Sequence, residues 1–106
     1  MDLLPGTLDL LVLRILDEGS LHGYGIARRI ESLSDDVLRV EKGSLYPALY
    51  RLERGGLIRS EWGRSDTGRR VKLFSLTTAG EARLRDDLAS WDRFVNAVAR
   101  VVRTES

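Results

Sequence analysis

Between positions 42 and 54 the chain carries Lys42, Ser44, Tyr46, Arg51 and Arg54, with Pro47 and Tyr50 among them. Cations and hydroxyls at this density suit recognition of a polyanion. Lys42, Arg51 and Arg54 can neutralise phosphates, Ser44 and Tyr46 can hydrogen-bond phosphate oxygens or base edges, and the Pro47 ring can meet a thymine methyl. A second basic group, Arg64, Arg69, Arg70 and Lys72, has only Asp66 beside it and suits phosphate or minor-groove contact.

Bond-making chemistry is poorly served. His22 is the only histidine and cysteine is absent, so a disulfide framework and thiolate zinc ligation are excluded, and the sequence offers no nucleophile–base pair or metal set. Gly23-Tyr24-Gly25 is a fragment of a glycine-rich phosphate loop, but the sequence shows no preceding strand and no third glycine. Tyr24, near the start of a helix, is placed to touch a phosphate. The chain reads as neither an enzyme nor a cofactor carrier.

Charge is distributed to match. The formal net charge is only +1, but residues 1–36 hold three basic and seven acidic side chains, a net of −4. Residues 37–72 hold nine basic and four acidic, a net of +5, and the remainder balances at five of each. A basic middle third flanked by acidic and neutral thirds points to one polyanion-binding face. No apolar run is long enough to span a membrane and no secretory leader is evident. The expectation is a soluble cytoplasmic protein of one compact domain with a modest core.

The elements that must position these residues follow from periodicity. Thr7 is expected to cap a helix to about Asp17, with Asp9 in its first turn. That segment is apolar around most of its circumference and needs covering from more than one side. A second helix is expected from His22 to Leu33, burying Ile26, Ile30 and Leu33. A turn at Ser34-Asp35-Asp36 and a brief strand over Val37–Val40 follow.

The third helix carries the first basic cluster. Leu45, Leu49 and Leu52 form its inward stripe and Gly55-Gly56 stops it. With Ser44 as N-cap, Pro47 lies in the first turn, where the missing N–H has no intrahelical partner to lose. Tyr50 reads more as a half-buried packing residue than as a contact. Leu57–Trp62 and Val71–Leu76 then alternate as the arms of a β-hairpin whose polar tip spans Gly63–Arg70. Thr78-Ala79-Gly80-Glu81 reads as a capping box opening a helix to about Arg103.

Three helices, a hairpin and a long helix make a mainly α fold: a winged helix-turn-helix plus a C-terminal dimerisation helix. The third helix of that fold enters the DNA major groove. The expected division is residues 1–77 for the DNA-binding domain and 78–106 for the dimerisation helix. Leu84, Leu88, Trp91, Val95, Val98 and Val102 recur at alternating spacings of four and three, a heptad seam. The seam predicts a homodimer, with Leu10 and Leu13 of the first helix supplying the other half of the interface. Two-fold symmetry would then set two recognition helices on a pseudo-palindromic operator.

"LHGYGIARRI", "KGSLYPALYRLERGGLI" and "FSLTTAGEARL" resemble the PadR family of bacterial transcriptional regulators over nearly the whole chain. Gly25 stands where that family often has a larger residue, and the single C-terminal helix is similar to the short-tailed branch. The resemblance implies a dimeric winged-helix repressor that binds double-stranded DNA. It also implies that Trp91, mid-seam, lines a site for a small aromatic effector between subunits.

Overall fold

The computed structural model describes residues 6–104. Four helices and a small antiparallel sheet follow in the order α1 (Thr7–Leu16), β1 (Leu21–His22), α2 (Gly23–Leu33), α3 (Lys42–Arg54), β2 (Ile58–Arg64), β3 (Arg70–Leu76) and α4 (Thr78–Val102). The sheet order is β1-β3-β2. This is the winged helix with a long C-terminal helix that the periodicity predicts.

Helix α1 is the centre of the domain. Leu8, Val12, Leu13, Ile15 and Leu16 are buried on it, and α2, α3, α4 and β3 all pack against it. Ile26, Ile30, Leu45, Ala48, Leu49, Leu52, Ile58, Phe74 and Leu84 complete one continuous core. Helix α2 is tied to the end of α1 by Arg29, which donates to both Glu18 carboxylate oxygens at 3.1 and 3.3 Å. That hydrogen bonding holds the Glu18 carboxyl below its usual range.

Several local expectations shift. Thr7 is not a cap: Gly6, at φ 84°, is the N-cap, and Thr7 is the first helical residue. Leu33 is exposed rather than buried, because it lies at the last position of α2 beyond the covered face. Val37–Val40 forms no strand. Two of its amides are taken by side chains and one by a turn carbonyl: Leu38 N–H donates to Ser34 Oγ (3.1 Å), Val40 N–H to Glu31 Oε2 (3.0 Å) and Val37 N–H to the Ser34 carbonyl (3.0 Å). Asp35 and Asp36, with φ 50° and 61°, make the preceding turn, where short polar side chains tolerate left-handed backbone.

A strand does precede Gly23. Leu21 pairs with Phe74 and His22 with Leu73, a two-residue ladder too short to leave an alternation signal. The hairpin arms are longer than expected, since Gly63 pairs with Val71 and Arg64 with Arg70. The tip shrinks to Ser65–Arg69, closed by Ser65 N–H on the Arg69 carbonyl (2.9 Å) and by Gly68 at φ 82°.

Helix α3 begins one turn before the expected Ser44 cap, with Glu41 as N-cap. Pro47 therefore lies inside the helix and does remove a hydrogen bond, leaving the Gly43 carbonyl without its partner four residues on. Gly43 is exposed, so that oxygen lies open to solvent. The cap of α4 is likewise one residue earlier than expected: Thr77 Oγ1 accepts from the Gly80 N–H at 3.0 Å and donates to the Gly56 carbonyl at 2.6 Å. The position three residues after that cap is Gly80, so no capping box forms.

Candidate nucleic-acid interface

Three elements meet at one end of the domain. The ring of Tyr46, in the second turn of α3, lies over the start of α2 so closely that a Cβ on Gly23 would sit 2.9 Å from it. Glycine at 23 is what permits this approach. The flank of α3 is joined to the hairpin by Glu53, which accepts from Ser60 Oγ at 2.6 Å and faces Lys72 Nζ at 3.8 Å. The hairpin tip and the start of α2 share a cleft of about 480 Å³ that includes Tyr24, Arg28, Asp66 and Arg69.

The residues singled out from sequence distribute as follows. Lys42, Ser44, Tyr46 and Pro47 are all exposed on the first half of α3, opposite the buried stripe of Leu45, Ala48, Leu49 and Leu52. Tyr24 stands exposed at the start of α2. Tyr50 is not the half-buried packing residue expected: it is 62% exposed on the same outward face, with the Arg54 guanidinium 5.7 Å from its ring centre. Arg51 is turned the other way. It donates to Asp9 Oδ1 of α1 at 3.0 Å, so its charge is partnered on the flank of α3 that faces α1.

The hairpin presents two faces. Ile58, Ser60, Trp62, Arg64, Arg70, Lys72 and Phe74 share one by register, and its inner end is the core. Arg69 lies in the tip, within the α2 cleft. Trp62, read from sequence only as the end of a strand, stands 62% exposed with the Arg70 guanidinium 4.4 Å above its ring. The alternation that marks Trp62 as a strand residue carries no sign of that stacking.

The expected dimer residues divide into two sets. Leu13 and Leu84 are 1% and 3% exposed and belong to the domain's own core, so neither is available to a partner. Their burial follows from α1 and the first turns of α4 packing together within one chain. Leu10 and Leu88 are half-buried beside that core. Trp91, Val95, Val98 and Val102 lie beyond it with 40, 40, 42 and 74% exposure. Phe94 and Val101, which the strict heptad omits, widen the stripe. Trp91 and Phe94 stack obliquely, ring centres 6.2 Å apart, and border a groove with Leu10 and Gly6.

Among the described residues no group of acidic or histidine side chains converges as a metal site, and no helix is long and apolar enough to cross a membrane. Residues 12–86 match the family model described as the transcriptional regulator PadR-like family. A transcriptional regulator of Mycobacterium tuberculosis is 35% identical over 81 residues, covering 76% of this chain and 72% of that protein. The chain is also similar to the solved structure of a transcriptional regulator from Clostridium thermocellum, with TM-score 0.84 and 28% identity over 92% of this chain and 95% of that one. A PadR-like transcriptional regulator from Bacillus cereus superposes with TM-score 0.82 at 25% identity, covering 94% and 95%.

Proposed function

Because this chain belongs to the PadR-like family of transcriptional regulators, we propose that it is a homodimeric repressor that reads a pseudo-palindromic operator in double-stranded DNA. The observation that carries this reading is the meeting of the exposed start of α3, the start of α2 and the hairpin tip at one end of the domain. Helix α3 enters the major groove, with Ser44, Tyr46 and Pro47 toward base edges. Tyr24, Lys42, Arg64, Arg69, Arg70 and Lys72 take the phosphates on either side, and Tyr50 and Arg54 join them from the outward face of α3. Arg51 is left out of this set, because its guanidinium is directed to Asp9 of α1. Residues 1–77 carry the DNA-binding parts and α4 pairs two chains through its exposed stripe; the DNA partner implies a cytoplasmic protein.

Tyr46→Ala and Ser44→Ala are expected to weaken operator binding by about 1–3 kcal/mol each while the fold is retained. Fluorescence anisotropy with a labelled operator checks this. Unchanged affinity in both variants would mean that α3 does not read the operator.

A small aromatic effector is a further part of the reading. Trp91 and Phe94 offer stacking surface beside Leu10 in a groove that a second α4 would close. With Trp62→Phe as background, planar aromatic compounds should quench Trp91 fluorescence saturably. No quenching across a broad set of such compounds would remove the effector site.

A further inference from the structure

Trp62 stands 62% exposed on a hairpin face otherwise rich in cations. Trp62 serves no core: its neighbours on the same hairpin face turn inward only from Ser60 and Phe74 onward. Three cations share that face, and two are engaged. Arg64 donates to the Gly68 carbonyl at 2.9 Å and Lys72 Nζ faces Glu53 at 3.8 Å. Arg70 makes no ion pair among the described residues, yet it is not loose, because its guanidinium lies 4.4 Å above the Trp62 ring. A guanidinium stacked on an aromatic face keeps its N–H donors free around its edge. It has also surrendered part of the rotamer freedom that binding a phosphate would otherwise remove.

We propose that Trp62 is a positioning residue for DNA: it holds the Arg70 guanidinium over its ring, so that the hairpin meets the phosphate backbone with this cation already ordered. The inference rests on the DNA-binding reading above and adds to it a residue that carries no charge. Backbone contact of this kind acts on all sequences alike.

The test is a double-mutant cycle on the full chain with Trp62→Ala, Arg70→Ala and the pair, binding both a selected operator and a mixed-sequence duplex in anisotropy titrations over a range of salt. Trp62→Ala is expected to weaken both duplexes by roughly three- to fivefold, the size of an exposed cation–π contact. The double variant should lose little more than Arg70→Ala alone. Trp62→Ala should also flatten the salt dependence as Arg70→Ala does, and Trp62→Phe, which keeps a ring, should restore most of both. Matching melting temperatures separate this from hairpin unfolding. Additive losses, an unchanged salt slope in Trp62→Ala, or equal losses in Trp62→Phe and Trp62→Ala would overturn the positioning role while leaving DNA binding intact. A wild-type protein that bound neither duplex would overturn both.

Discussion

Val95→Asp combined with Val98→Asp should leave a folded monomer and remove tight operator binding. The two valines lie on the part of α4 that has left the domain, about 40% exposed each, with Trp91, Phe94, Val101 and Val102 around them. An apolar stripe of this kind on an isolated helix face is what a coiled-coil seam looks like without its partner. Helix α4 has 25 residues, yet its last buried side chain is Leu84. The described chain is accordingly elongated, 58 × 29 × 22 Å. Two carboxylates placed mid-stripe would face their own symmetry mates across a two-fold interface, at a cost that apolar burial cannot offset. They touch nothing in the monomer core, so helix content and melting should change little. Joining two DNA-binding units multiplies affinity by about 10²–10⁴, and a loss at least at the low end of that range is expected. Sedimentation at micromolar concentration and anisotropy with the operator check the two halves. A variant that stayed dimeric, or a monomer that bound as tightly as wild type, would show that α4 is not the seam.

Gly80→Ala should be strongly destabilising, against the ordinary rule for helices. Alanine in a helix is favoured over glycine by about 1 kcal/mol. At position 80 a Cβ would run into the backbone carbonyl of Leu57 and press on Leu76 Cδ2 at 3.0 Å. The obstacle is main chain, fixed by Thr77 N–H on the Leu57 carbonyl (3.1 Å) and by the Thr77 hydroxyl on Gly56 (2.6 Å). Either α4 moves off β2 or the cap breaks. Steric overlap outweighs propensity, and a net loss of about 2–4 kcal/mol is expected. Urea denaturation measures it. An alanine variant as stable as wild type would mean that the junction between the hairpin and α4 is loose.

The elements were legible because their signals are long. Apolar side chains all round α1, the leucine stripe of α3 and the alternation of β2 and β3 each recur over several residues, and the packed domain uses all of them. Short signals misled. Ser44 and Thr78 are good capping types, but Glu41 and Thr77 hold those positions, since a cap is decided by which backbone turns first. The strand β1 is two residues long, below any periodicity. Leu13 and Leu84 fit a dimer stripe as well as a core stripe, and only packing separates the two. At the candidate site, charge and position suffice to mark Lys42, Arg64, Arg69, Arg70 and Lys72 from sequence. They cannot show that Asp9 takes Arg51, that Glu53 takes Lys72, or that Trp62 carries Arg70. Those are long-range pairings, separated by 42, 19 and eight positions, which only the folded chain brings together.

Selection of bound sequences from random DNA duplexes tests the central claim most directly. A dimer with one α3 per half-site should enrich a pseudo-palindrome whose half-sites lie about one helical turn apart, or a multiple of it. Affinity for the enriched duplex should fall steeply with rising salt as several phosphate contacts are lost. Enrichment of no sequence, with retention insensitive to salt, would contradict the account and leave the winged helix as a surface for protein partners.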